Sequence, residues 1–227
     1  NLSPSDPSKT GIVLRLADLL SERARYNEFA SLDGECKKCV PPATDRKKAL
    51  QYYTEVLPKL SDLSKVKVLV QMGHLNQLLG NEKTALDLYS KITNESSDGV
   101  SKAEAYLAIA EIHFKKSFWA LAESNYEKSI QTGRFPSKGY AYYRMGWSQF
   151  NQGKIGQAKK KIKTVLTNPA YMSKSGSVES VTDVAFHEQF ARDYAIMVAK
   201  DFNSNELKTV QDLSPEKKKL DNLFAVA

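Results

Sequence analysis

Two cysteines form the most compact set of residues in this sequence whose types and spacing suggest a chemistry. Cys36 and Cys39 are separated by two lysines, and the chain of 227 residues contains no other cysteine. A Cys-x-x-Cys pair is typical of a redox dithiol, half of a zinc site or a short disulfide. A redox pair is expected at the start of a helix that follows a strand, whereas here Gly34 precedes the pair and Pro41-Pro42 follow it.

A zinc site would need two further ligands beside the cysteines. The three histidines, His74, His113 and His187, are scattered singly along the chain, so we expect no metal. The sequence therefore favours a disulfide between Cys36 and Cys39, which would imply an oxidising compartment. A reduced pair without function and a zinc or redox pair remain alternatives.

No catalytic signature accompanies the cysteines. The sequence lacks the GxxxxGK[ST] phosphate loop, the HExxH metalloprotease motif and the GxSxG nucleophile motif. We therefore predict a protein that is not an enzyme and that takes no cofactor.

Lysines are concentrated in two places on a chain whose net charge is +7. One cluster consists of Lys159, Lys160, Lys161 and Lys163, and the other of Lys217, Lys218 and Lys219. Such clusters could contact nucleic acid or an anionic membrane, but no aromatic residues alternate with them as stacking platforms would. We interpret them as solvated faces and expect no nucleic-acid partner, and no stretch approaches the roughly 18 apolar residues of a membrane span.

The segments that position these residues are predicted to be helices. The eight prolines lie outside every stretch with helical periodicity, and there is no clean alternation of apolar and polar residues. A first segment with helical spacing follows Ile12 and a second follows Ala49. Further helices are predicted near residues 65–79, 82–93, 101–116, 118–131, 138–151 and 155–167, with links short enough for antiparallel pairs.

A helix–turn–helix unit recurs three times, beginning at Val66, Ala103 and Gly139. Each first helix carries a large residue followed by a small one, in the pairs Met72-Gly73, Ile109-Ala110 and Met145-Gly146. Each second helix carries an alanine and, four residues later, a large apolar residue: Ala85 and Tyr89, Ala122 and Tyr126, Ala158 and Ile162. The small residue would let the second helix approach closely, with the alanine facing the gap.

This pattern resembles the tetratricopeptide repeat (TPR) family. The match is carried by Tyr106, Ala110, Ala122 and Tyr126 in one unit and by Tyr142, Gly146, Gly153 and Ala158 in the next. The chain departs from the family pattern at Asn76, His113 and Gln149, where the family has a tyrosine, and its units are two or three residues longer. The resemblance implies an all-α fold, a right-handed superhelix of antiparallel helix pairs (a TPR-like α-solenoid).

The predicted organisation has four parts. Residues 1–9 form a flexible segment, and residues 10–60 form a degenerate helix pair with the cysteine loop inserted at 30–44. Three TPR-like repeats occupy 66–170, and further helices in 178–227 begin a continuing array. The segment from Leu14 to Arg25 also resembles envelope-associated bacterial TPR proteins, which implies a periplasmic or cell-envelope location with peripheral association, the cytoplasm being the alternative.

The family resemblance also implies a binding site for a peptide or protein segment on the inner face of the first helices. Counting the family's inward positions along this chain selects a set of groove residues: Lys67, Gln71, His74, Glu104, Glu111, Phe114, Tyr140, Tyr143, Arg144, Trp147, Phe150 and Asn151. Tyr143, Arg144, Trp147 and Phe150 are expected to be the anchors, because such side chains dominate protein interfaces. The alternative is that residues 178–202 pack over these aromatics and bury them as core.

Overall fold

The described part of the chain is helical. The computed structural model describes residues 8–34, 38–133, 135–168, 171 and 181–200, with side chains in the last range described from Glu188 onward. The helices are α1 (Lys9–Leu32), α2 (Pro42–Val56), α3 (Asp62–Leu78), α4 (Glu82–Glu95), α5 (Gly99–Lys115), α6 (Trp119–Gln131), α7 (Lys138–Asn151), α8 (Ile155–Leu166) and α9 (Val181–Lys200), with a short 3-10 helix at Leu57–Lys59. No strand occurs among these residues, which confirms the prediction of an all-α fold.

Helix boundaries follow local sequence signals. Pro42 occupies the first turn of α2, where its missing N–H is not needed. Asp98 precedes α5, and its carboxylate accepts a hydrogen bond from the Ser101 N–H at 3.0 Å, as an N-cap does. Helix α1 extends to Leu32, so the segment between α1 and α2 is shorter than the loop predicted at 30–44.

The same turn ends the first helix of each repeat. The positive φ angles of Gly80, Ser117 and Gly153 are 81°, 62° and 75°, in the left-handed region. The following N–H then bonds to a carbonyl five residues back, from Asn81 to Asn76, from Phe118 to His113 and from Lys154 to Gln149, at 2.8–2.9 Å. This Schellman-type ending satisfies carbonyls at the helix terminus and reverses the chain into the second helix.

Close approach of the two helices within a pair depends on the small residue that the sequence pattern identifies. A Cβ added at Gly73 would lie 2.4 Å from Cε1 of Tyr89, and one added at Gly146 would lie 2.9 Å from Cγ1 of Ile162. The repeat alanines Ala85, Ala122 and Ala158 are fully buried. The predicted contact between small and large residues therefore forms the interior of these pairs.

The chain divides into two compact units, residues 1–105 and 106–227, with the boundary inside α5. In unit 1, a core cluster includes Ala17, Leu20, Ala49, Tyr53, Val68 and Leu75. In unit 2, a core cluster joins Ala158, Ile162 and Val165 of α8 to Phe190, Tyr194 and Met197 of α9. Unit 1 also has a bidentate ion pair in which Arg23 of α1 donates to Asp45 of α2 at 2.7 Å, which holds the pKa of that carboxyl below its usual value.

Replacing Ser117 by glycine is expected to stabilise the protein. Ser117 is the non-glycine residue among the three turn positions, and a side chain in the left-handed region costs about 1 kcal/mol or more. Ser117→Gly should raise the free energy of unfolding by about 0.5–1 kcal/mol after the added entropy of the unfolded chain is subtracted. Urea denaturation followed by circular dichroism measures this, and Gly153→Ser should change stability in the opposite direction. A destabilised Ser117→Gly variant would contradict the turn assignment.

Adding one methyl group at Gly73 is expected to destabilise the protein. The Tyr89 ring that it would meet is fully buried, so Gly73→Ala should cost about 1–2 kcal/mol despite the better helix propensity of alanine. Gly156→Ala is the matched control, because a Cβ at Gly156 in α8 would meet no atom within 4 Å. Thermal melts of both variants test the contact. Equal changes in melting temperature at the two positions would show that the close contact between Gly73 and Tyr89 does not limit stability.

Candidate functional site

A groove in unit 1 lies at the predicted groove positions of that unit. It has a volume of ≈ 980 Å³ and is lined by side chains from α1, α2, α3 and the beginning of α5. We call it the unit-1 groove. All four predicted groove residues that belong to unit 1 line it: Lys67, Gln71, His74 and Glu104.

The sequence prediction missed the contribution of α1. Leu14, Arg15, Asp18, Ser21 and Glu22 also line the unit-1 groove. Leu16-Ala17 of α1 is a large residue followed by a small one, like Met72-Gly73 of α3. Counted from these two pairs, the five α1 residues correspond to Val70, Gln71, His74, Gln77 and Leu78. The same count applied to the first helix pair would have found them.

Several polar side chains at the groove are held in place by neighbours. Tyr53 donates its hydroxyl to Asp18 at 2.7 Å, and Arg46 donates to the carboxylate of Glu28. Arg46 and Tyr53 come from α2 and are buried, so the second helix supplies the floor behind the α1 side chains. These bonds orient Asp18 and Glu28 before any ligand is present.

The groove wall formed by α3 and α5 has an uncompensated carboxylate. Burial and, to a lesser extent, the negative charge of Asp98 raise the pKa of Glu104. Among the described residues, none donates a hydrogen bond to Glu104. Asp98, in contrast, accepts hydrogen bonds from the N–H and the hydroxyl of Ser101, and the hydroxyl lowers the pKa of Asp98. Burial lowers the pKa of His74, so its imidazole is neutral at pH 7. The wall can therefore accept hydrogen bonds, and Glu104 can balance a cation.

The predicted groove residues of unit 2 are engaged with one another. Arg144 donates to both carboxylate oxygens of Glu111, at 2.8 and 3.0 Å, and its guanidinium lies 3.6 Å from the centre of the Phe114 ring. Glu111 also accepts hydrogen bonds from the hydroxyls of Tyr126 and Tyr140. Glu111 and Arg144 therefore satisfy each other's charge, and the predicted pairing of Arg144 with a ligand carboxylate would have to displace Glu111.

The three aromatic residues expected to anchor a partner lie beneath α9. Tyr143 stacks on Phe190 with ring centres 3.9 Å apart, and Trp147 packs edge-on against Phe150. Asp193 of α9 is buried and accepts hydrogen bonds from the Tyr143 hydroxyl and from Trp147 Nε1, the latter at 3.2 Å.

The placement of these aromatics corrects the groove prediction. Tyr143, Trp147 and Phe150 pack against the α8–α9 core, so they do not form an open face in unit 2. The physical reason is that α9 packs over them in part and that Asp193 accepts hydrogen bonds from Tyr143 and Trp147, as in the alternative raised by the sequence. Asn151, the last residue of α7, is exposed and lies outside the unit-1 groove.

The other sequence candidates do not add a site. Cys36 lies outside the described residues, so the disulfide between Cys36 and Cys39 stays a prediction, and Lys217–Lys219 also lie outside. In the other cluster, Lys159 is buried and Lys161 lies over the Tyr142 ring at 5.7 Å. Within the described ranges there is no group of three metal-binding side chains, and no described helix has the length and apolar content to cross a membrane.

No family model matches this sequence, and no curated protein matches it. Solved structures with a similar fold include MamA protein, which is 16% identical over 98% of both chains with a TM-score of 0.58. Another MamA structure is 17% identical and covers 79% of this chain and 92% of its own, with a TM-score of 0.56.

A third similar structure contains TPR-like repeats. It is a putative kinesin light chain from Podosopora anserina, 14% identical, with 87% of this chain and 95% of that chain covered and a TM-score of 0.52. At these identities the likeness is informative about the fold alone. It confirms that the helix pairs of this chain have a TPR-like α-solenoid fold.

Proposed function

We propose that this protein is a non-catalytic scaffold that binds a segment of another protein in the unit-1 groove. The observation that carries the proposal is the lining of this groove. Its side chains come from equivalent positions of successive first helices, which is the surface that a TPR-like fold uses to present a continuous face. A volume of ≈ 980 Å³ is enough for several residues of an incoming polypeptide.

The chemistry of the unit-1 groove supports a polypeptide ligand. Apolar side chains such as Leu14, Val70 and Leu78 alternate with polar ones such as Gln71 and His74. A peptide offers the same mixture, because its side chains seek apolar contacts and its backbone needs hydrogen-bond partners. The Glu104 carboxylate favours a basic group at that end of the ligand.

Binding of nucleic acid or an anionic surface receives less support. Of the lysines on α8, Lys159 is buried and Lys161 is engaged with an aromatic ring, which leaves Lys160 and Lys163 exposed. Two exposed lysines on one helix make a small electrostatic footprint for a phosphate backbone. The absence of enzymatic activity stays a prediction that rests on the missing motifs.

A role in the bacterial envelope is a separate proposal that rests on the resemblance of the segment from Leu14 to Arg25 and on the predicted Cys36–Cys39 disulfide. Alkylation of the purified full chain without reductant, followed by mass spectrometry, tests it. We expect neither cysteine to be alkylated after export to an oxidising compartment. Two alkylated cysteines in the exported protein would remove the support for an envelope location.

Filling the unit-1 groove is expected to abolish peptide capture. Peptides that bind the full chain are first selected from a random display library. These peptides should bind the Gln71→Trp variant at least about tenfold more weakly than they bind the natural protein, because the indole would occupy the groove. Gln71 is exposed, so the substitution leaves the core unchanged. Fluorescence anisotropy of a labelled peptide measures the affinity.

Gln157→Trp on α8 is the matched control, because Gln157 is an exposed glutamine far along the chain from the groove positions. This variant should bind the selected peptides normally. Equal binding by Gln71→Trp and the natural protein, or failure to select any peptide, would refute the groove as the binding site.

A further inference from the structure

Helix α1 has two apolar faces, and one of them is exposed. Ala17, Leu20 and Ala24 point into the unit-1 interior. On another side of the helix, five large apolar residues are each between 40% and 67% exposed: Ile12, Leu16, Leu19, Tyr26 and Phe29. We call these five residues the α1 stripe.

The spacing of the α1 stripe is that of a helix–helix contact. Its members follow one another at intervals of four, three, seven and three residues, which keeps them on one side of an α-helix. Each of the other described helices exposes at most two large apolar side chains, such as Leu121 on α6 and Ile196 on α9. The α1 stripe is therefore an interaction surface rather than scattered surface residues.

The distribution of charge along the stripe indicates what covers it. Two of the apolar residues are placed symmetrically about Leu19, since Ile12 and Tyr26 are each seven residues away. Charges are placed oppositely, with Arg15 four residues before Leu19 and Glu22 three residues after it. A two-fold axis at Leu19 would bring Ile12 against Tyr26 of a second copy and Arg15 beside the Glu22 carboxylate of that copy.

Arg15 and Glu22 are available for such contacts. Within one chain they form a loose ion pair of 3.7 Å, and their side chains are 62% and 55% exposed. An exposed pair of this length contributes little to stability, so sharing it with another copy costs little. In an antiparallel arrangement the two copies would form two equivalent Arg15–Glu22 contacts. Arg23 lies opposite Arg15 in this register, and its charge is met by Asp45 of its own chain.

The available area is sufficient for a modest dimer. At roughly 180 Å² for an extended large side chain, the exposed part of the stripe amounts to about 500 Å² per copy. With Arg15 and Glu22 included, two copies would bury roughly 1,200 Å², the lower end of specific interfaces.

We propose that the α1 stripe is a self-association surface, on which a second copy of this chain packs its own α1 in antiparallel orientation about a two-fold axis at Leu19. This surface adjoins the proposed peptide site: none of its five apolar residues lines the unit-1 groove, whereas Arg15 and Glu22 line that groove as well.

Sedimentation equilibrium of the full chain tests the proposal. The natural protein should dimerise with a dissociation constant on the order of 10 µM. Leu19→Glu places two carboxylates on the axis and should weaken the dimer at least about 100-fold. Leu121→Glu, the matched control at a similarly exposed leucine on α6, should dimerise like the natural protein, with circular dichroism used to confirm that each variant is folded.

Charge reversal tests the symmetry. Arg15→Glu and Glu22→Arg should each weaken self-association about tenfold, and an equimolar mixture of the two variants should form a heterodimer as tight as the natural dimer. A natural chain that stays a 25.4 kDa monomer, or equal weakening by Leu19→Glu and Leu121→Glu, would overturn the proposal. So would a mixture of charge variants that does not associate.

Discussion

The packing of this protein depends on how closely the two helices of a pair can approach each other. Gly73 lets the Tyr89 ring lie directly against the backbone of α3, and Gly146 does the same for Ile162 against α7. The fully buried alanine on each second helix completes this contact. Because the helices are so close, the large side chains of the second helix fill the interior, and the first helices are left to form the face that carries the unit-1 groove.

The two units use that face differently. In unit 1 the first-helix residues line an opening, with Asp18 and Glu28 oriented by hydrogen bonds from α2 and with Glu104 uncompensated. In unit 2 the corresponding residues are satisfied within the chain, through Glu111 with Arg144 and through Asp193 with Tyr143 and Trp147. A polar group that already has its partner offers little free energy to a ligand. We therefore place the proposed binding site in unit 1, where a polar group still lacks a partner, and not in unit 2, which has more aromatic residues.

Much of the fold was predictable from the sequence because the signals were local and repeated. The helices from α3 to α8 begin and end within about three residues of their predicted limits, since turn residues such as Gly80 and Gly153 mark the ends. The groove positions of α3 were predictable by counting from Met72-Gly73. Those of α1 were missed because the count was not extended to Leu16-Ala17.

The remainder depended on contacts between segments distant in sequence. Tyr143 and Trp147 have the same sequence signature whether they face solvent or another helix. What decides between these states is α9, whose Asp193 lies about fifty residues away and has no motif of its own. The exposed stripe of α1 was equally hidden, because Ile12, Leu16 and Leu19 have the same helical spacing as core residues.

The central claim is that unit 1 presents an open face for another polypeptide while the equivalent residues of unit 2 are closed by the chain itself. Amide chemical-shift changes in the full chain, titrated with a library-selected peptide, measure this most directly. The account predicts that the largest changes fall on α1, on α3 around Gln71 and His74, and near Glu104, with α7 and α9 little affected. Changes concentrated at Tyr143, Trp147 and Asp193, with unit 1 unchanged, would contradict it.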